Sequence, residues 1–246
     1  MTEAMSSTAP MTPNTRALSF LLSVITLLLT LAIPVVIVLF SVRLVMSPAF
    51  LYYEYHRPGF PVDAYGITLE ERLTYGPLAV EYLLNDEGIE WLASQTFADG
   101  TRLYTPLELQ HMQDVKIVTR TAFNLLVLLL IGIAVCAAVM LNPRSDGLWR
   151  KAFWQGIYNG GLLTLALIVT IVLGAIFAWD YFFVTFHQLF FADGTWVFLY
   201  SDTLIRLFPE RLWFDAALLI GLLTVGLSMI LILFSWMNVT RAFQKR

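Results

Sequence analysis

Residues 105–143 read TPLELQHMQDVKIVTRTAFNLLVLLLIGIAVCAAVMLNP. Thr105 at the cap, Pro106 at the first helical position and Glu108 at the third form a capping box, in which two otherwise unpaired N–H groups at a helix start are satisfied. No breaker follows until Asn142-Pro143. The spacing therefore predicts one helix that carries Lys116 and Arg120 straight into an apolar run over 118–141. A helix needs about 20 residues to cross the hydrocarbon core, and this run is long enough. The same helix sets His111 on a rigid support, one or two turns above the membrane. Glu108 and Asp114 lie three residues either side of it, on nearly the same face.

The rest of the chain has the same character. It is 58% hydrophobic and 13% charged, against about 25% charged in a soluble domain, and its apolar residues come in blocks. The first span is 17–42, with Pro34 placed to kink it. It is longer than the apolar core of a cleavable signal and ends at Arg43, so it reads as an uncleaved span. Residues 1–16, rich in Ser, Thr, Pro and Met, read as a disordered tail. Segment 43–117 is polar and aromatic, with loop signals at Ser47-Pro48, Arg57-Pro58-Gly59 and Phe60-Pro61. Thr68 with Glu70 and Glu71 marks a helix start, Pro77 to Leu84 and Gly88 to Ala93 read as short helices, and Asp99-Gly100 as a turn. Residues 142–155 read as a short loop and 156–178 as the third span. Gly156 and Gly160 are spaced there for close helix contact. A second polar, aromatic segment, 179–215, precedes the fourth span at 216–236 and a tail at 237–246. Within it, Ser201-Asp202 caps a short helix whose Leu204, Ile205, Leu207 and Phe208 fit the membrane interface, and Pro209 ends it.

These pieces define an all-α membrane protein with four transmembrane helices. A mostly helical extracytoplasmic cap lies between spans 1 and 2, and an aromatic extracytoplasmic segment between spans 3 and 4. The positive-inside rule orients it. Arg16, then Arg144, Arg150 and Lys151, then Arg241, Lys245 and Arg246 all fall on one side. Segment 43–117 instead holds eleven Asp/Glu against five Lys/Arg, which places it on the other. Both termini are expected on the cytoplasmic side of the membrane. The absence of a basic tract or nucleic-acid motif argues against a nucleic-acid partner. Cys136, the single cysteine, excludes an intrachain disulfide.

All three histidines fall in the outward segments. His56, beside Arg57-Pro58, reads as a loop residue. His111 and His187 come to the same outer boundary if spans 2 and 3 are antiparallel neighbours. A histidine pair suits acyl transfer, because an imidazole with a pKa near 6.5 can take a proton from a nucleophile or give one to a leaving alkoxide. Glu108, Asp114, Asp193 or Asp202 are candidates to orient a ring, and Arg206 or a backbone N–H to stabilise an oxyanion. Trp179, Tyr181 and Trp213 read as interface anchors. The sequence has no P-loop, dinucleotide fingerprint, GxSxG elbow, HxxxH or HExxH, so neither cofactor nor metal is expected. Two other readings stay open at this point. One is a non-catalytic membrane scaffold or lipid-binding subunit, in which the histidines are ordinary boundary residues. The other is a metal-dependent lipid hydrolase.

Glu108-Leu109-Gln110-His111-Met112-Gln113-Asp114-Val115-Lys116 resembles the E-x-x-H-M-x-D-V segment of a family of bacterial integral membrane proteins that includes the lipoprotein intramolecular transacylases. Phe186-His187-Gln188-Leu189-Phe190-Phe191, with Trp196, Asp202-Thr203-Leu204-Ile205 and Leu207-Phe208-Pro209-Glu210, resembles its second signature. The resemblance implies membrane lipid and a diacylated lipoprotein as partners. It implies transfer of the sn-2 acyl chain of the substrate's diacylglyceryl group to the N-terminal cysteine amine, leaving a lyso-form lipoprotein. It further implies that His111 and His187 are the catalytic residues.

Overall fold

The computed structural model describes residues 13–244. Among them are nine α-helices: α1 (Pro13–Val45), α2 (Pro48–His56), α3 (Leu69–Leu84), α4 (Ile89–Ala93), α5 (Pro106–Met140), α6 (Gly147–Phe177), α7 (Trp179–Phe190), α8 (Thr203–Leu207) and α9 (Glu210–Gln244). Extended pairing among the described residues is limited to one bridge, Thr96 with Arg102, across the Asp99-Gly100 turn. Four helices, α1, α5, α6 and α9, are long and apolar enough to cross a membrane. The first twelve residues of the expected tail, and Lys245 and Arg246, lie outside the described residues. Residues 13–16 of that tail are already helical.

Helix α6 is the centre of the bundle and packs along both α9 and α1. Its glycines make this possible. A Cβ on Gly156 would sit 2.8 Å from Leu29 Cβ, one on Gly160 2.6 Å from Ile33 Cβ, and one on Gly161 2.7 Å from Ile232 Cγ1. Adjacent glycines thus serve two neighbours, α1 on one flank and α9 on the other. Buried hydroxyls are satisfied locally: Ser41 donates to the Ile37 carbonyl, Thr164 to Gly160 and Ser228 to Thr224, while Thr224 also donates to Ser41 Oγ across the α1–α9 contact. Such pairing is needed where no water can substitute. Gly160→Ala is expected to destabilise the protein by about 1–3 kcal/mol through overpacking. Gly226→Ala, whose Cβ meets nothing within 4 Å, should leave the detergent melting temperature unchanged. Equal melting of the two variants would contradict this packing.

Helix α5 does not run beside α6 as a close partner. It leans mainly on α1 and touches α6 little. At 35 residues it is about 50 Å long, against about 30 Å of hydrocarbon, so its first turns stand clear of the apolar run. Apolar packing forms two separate cores. One joins Leu22, Ile33, Met140, Phe153 and Ile157 at the end of the bundle nearest the termini. The other joins Val45, Tyr55, Tyr82, Leu103, Met112, Leu207 and Leu212 at the cap end.

The cap is more helical than the loop signals imply. Ser47-Pro48 starts α2: Ser47 accepts from Phe50 N and Pro48 occupies the first turn, where a missing N–H does no harm. Thr68 and Glu71 form a capping box for α3, which begins at Leu69 and runs through Pro77 rather than starting there. Its buried face, Arg72, Tyr75, Ala79 and Tyr82, holds the helix together across the proline. Asp146 caps α6, so the loop after α5 ends well before Gln155. Likewise α9 begins at Glu210. Lys116, 6% exposed, donates to Asn85 Oδ1 and the Glu87 carbonyl and lies 4.0 Å above the Tyr82 ring. It thereby fastens the α3–α4 turn to α5.

Candidate functional site

Three elements converge at the cap end. Helix α5 brings His111, whose position is fixed by its own N-terminus. Thr105 Oγ1 accepts from Glu108 N, while the Glu108 carboxylate accepts from Thr105 N at 2.7 Å. Glu108 is fully buried, and its other oxygen accepts from Leu204 N at 2.6 Å. One carboxylate therefore caps α5 and holds the first turn of α8. Burial pushes its carboxyl above the usual range, against the pull of these donors.

Helix α8 is clasped from the first polar segment as well. Tyr55 donates its hydroxyl to the Leu207 carbonyl, and Arg72 Nε donates to the Arg206 carbonyl. Arg206 itself forms an ion pair with Asp63 at 3.0 Å and donates to the Tyr65 carbonyl. Leu204, Leu207 and Phe208 are consequently buried in the cap core. This corrects their expected place in the membrane interface: α8 is amphipathic, but protein covers its apolar face.

The amphipathic helix with an open apolar face is α7. None of its residues is fully buried, and Tyr181 and Leu189 are 75% and 74% exposed. On its inner side it carries His187. The His187 Nδ1 lies 2.8 Å from the Phe183 carbonyl one turn earlier. A carbonyl only accepts, so the neutral ring carries its proton on Nδ1 and keeps a lone pair on Nε2. The ring stacks on Trp196 at 4.8 Å and 30°, and also meets Phe183, Phe186 and Phe191. After α7 the chain turns at Gly194, with φ +83°, which brings Trp196 back over the histidine.

His111 and His187 meet. Their ring centroids are 6.3 Å apart and the planes are within 23° of parallel. Phe191 contacts both rings, at 4.9 and 5.8 Å, and Phe198 lies 5.3 Å from His111. His111 is 7% exposed, and its Nδ1 is buried without a hydrogen-bond partner among the described residues. Burial and then the neighbouring His187 push its pKa down to about 4. Burial also lowers His187, against the opposing hydrogen bond to Phe183. Both rings are therefore neutral at pH 7, as a base or a neutral donor requires.

The other sequence candidates fall elsewhere in the cap. No hydrogen bond among the described residues joins either imidazole to Glu108, Asp114, Asp193 or Asp202. The ring-orienting role expected of a carboxylate is taken at His187 by a backbone carbonyl. Asp202 accepts from Leu199 N and closes the turn before α8. Asp193 is exposed in the loop after α7, and Asp114 is half-buried on α5. Arg206 is committed to Asp63, so its expected role as an oxyanion donor gives way to a structural one. Phe191, Phe198 and the Trp196 ring escaped the sequence reading as site components. The signal available was the aromatic spacing of Phe183, His187 and Phe190-Phe191, one helical turn apart.

Known proteins share this fold. A solved structure of the membrane-integral lipoprotein intramolecular transacylase Lit from Bacillus cereus superposes with a TM-score of 0.65 at 19% identity, covering 92% of this chain and 99% of that one. A variant of the same protein superposes at 0.59 and 18% identity, over 94% of this chain and 99% of that one. An uncharacterised protein of Aquifex aeolicus (strain VF5) is 34% identical over 212 residues, 86% of this chain and 92% of the relative. The family model described as "Lipoprotein intramolecular transacylase Lit" matches residues 27–213, from within α1 to the first turn of α9, and takes in both histidines and the whole cap. This multi-pass membrane protein belongs to the lipoprotein intramolecular transacylase family.

Proposed function

We propose that the protein moves the sn-2 acyl chain of a diacylglyceryl lipoprotein onto the α-amine of its N-terminal cysteine, with His111 and His187 as the acid–base pair. The observation that carries this reading is the 6.3 Å separation of the two near-parallel imidazoles. They are too far apart to bond each other. They are close enough for one bound substrate to meet both imidazoles.

The chemistry balances without a co-reactant. The neutral amine attacks the sn-2 ester carbonyl, an N–C bond forms, and the carbonyl π pair moves onto oxygen. His187 Nε2, with its lone pair directed by the Phe183 hydrogen bond, accepts the amine proton. The carbonyl then re-forms, the bond to the glyceryl oxygen breaks, and that oxygen takes the proton His187 had accepted, so that both imidazoles end neutral, with His111 held against the same substrate from the other side. The products are an amide and a glyceryl hydroxyl on the same molecule. Nucleophile and electrophile share one substrate, so binding removes much of the entropic barrier. The basic residues Arg16, Arg144, Arg150 and Lys151 lie at the opposite end of the bundle, which supports a site at the outer face and termini in the cytoplasm.

The test is expression in a bacterium that lacks lipoprotein N-acylation, followed by mass spectrometry of lipoprotein N-terminal peptides. The proposal expects lyso-form peptides carrying an N-acyl and a monoacylglyceryl group. Unchanged diacyl peptides with the protein folded and inserted would sink it, and would favour a scaffold. The pH dependence follows from the depressed imidazoles. Both titrate below the ordinary imidazole value, so the first group to silence the reaction on acidification is the substrate amine, whose ordinary pKa is about 7.7–8.0. The kcat/KM is expected to rise with pH through the amine's pKa, with no separate inflection near 6.5. An inflection there that disappears in His187→Ala would contradict the neutral pair.

A further inference from the structure

Acyl transfer through a tetrahedral intermediate needs a donor for the oxygen that becomes negative. The two imidazoles are engaged in proton transfer, and Arg206, the expected donor, is held by Asp63. The surrounding rings are mostly phenylalanine. Trp196 is the exception. Its ring stacks on the proposed base at 4.8 Å, and its indole Nε1 is fully enclosed with no hydrogen-bond partner among the described residues. A buried N–H without an acceptor is unfavourable by about 1–3 kcal/mol, and native structures leave few of them. Trp179 carries a similar orphan, but its ring meets Phe182, Phe183 and Phe214 rather than an imidazole.

We infer that the Trp196 indole N–H is the oxyanion donor of this site, an inference that rests on the proposed transacylation. When the ester enters beside His187, its sn-2 carbonyl oxygen reaches the indole N–H stacked against that ring. As the amine attacks, the carbonyl π pair settles on that oxygen, and the N–H bond to it shortens and strengthens without transferring its proton. As the glyceryl oxygen departs, the pair returns to re-form the carbonyl. The donor is enclosed in the resting site with no protein acceptor among the described residues to compete for it, and burial strengthens its interaction with developing charge.

The experiment compares three forms of the full-length protein in lipid with a synthetic diacylglyceryl lipopeptide: wild type, Trp196→Phe, and a form with 3-benzothienylalanine at position 196. The last keeps the bicyclic shape and replaces the N–H by sulfur. The expected result is a kcat lower by about 10²–10³-fold in both altered forms, the usual effect of losing one oxyanion donor, with KM changed little. A benzothienylalanine form with wild-type kcat would overturn the donor role and leave only stacking. Loss confined to KM would overturn it too. Should Trp196→Phe fail to fold, the near-isosteric form still decides. Wild-type protein that does not convert the lipopeptide would overturn the proposed function itself, whereas active wild type with insensitive variants overturns this inference alone.

Discussion

His187→Ala is expected to lower the rate of lyso-form production by about 10²–10⁴-fold, the range general acid–base catalysis contributes. His187 makes one backbone hydrogen bond and otherwise ring contacts, and it lies on a helix with no fully buried residue. Its removal should therefore leave the melting temperature close to wild type. His111→Ala is expected to lower the rate similarly. The double variant should be little worse than the worse single one, because groups that act on one proton circuit are not additive. Initial rates in lipid, with melting curves as control, read this directly. Near-wild-type turnover in either single variant would remove the paired mechanism.

Glu108→Ala is expected to act through stability. It strips the acceptor from two N–H groups, on Thr105 and Leu204, at a position with no solvent exposure. Each orphaned group is unfavourable by about 1–3 kcal/mol, so the loss is about 2–6 kcal/mol. The anchor between α5 and α8 goes with it. Glu108→Gln keeps one acceptor and sets an amide donor against the other N–H, so its melting temperature should fall between wild type and Glu108→Ala. Activity should follow the same order although both histidines are intact. An unchanged melting temperature in Glu108→Ala would show that α8 is held without this carboxylate.

What could be read in advance followed from how local each signal was. The Thr105–Glu108 box is complete within four residues, so the start of α5 was legible, and the unbroken run to Asn142-Pro143 gave its length. Ser47-Pro48 has the same chemistry at a helix start as in a turn. Only the packing of Phe50, Leu51 and Tyr55 into the cap core decides between them. Pro77 argues locally for a break, yet the buried stripe from Arg72 to Tyr82 overrides it. For α8, periodicity showed an apolar face but not what would cover it. The meeting of His111 with His187 depends on a chain reversal at Gly194 and on Glu108 reaching Leu204, 96 positions away. Contacts at that separation leave no trace in spacing. The partner of Trp196 was hidden for the same reason.

The two separate cores divide the molecule's cooperativity. Packing near the termini shares no buried residue with packing at the cap, and cooperative units follow contiguous packing. The cap packing can therefore be expected to loosen as a step ahead of the main melting transition. Met112, next to His111 on α5, and Leu204, held by Glu108, belong to the cap unit. Heat or denaturant can thus dissolve the site while the spans stay folded, and restoring mild conditions lets the cap re-form on a scaffold already in place.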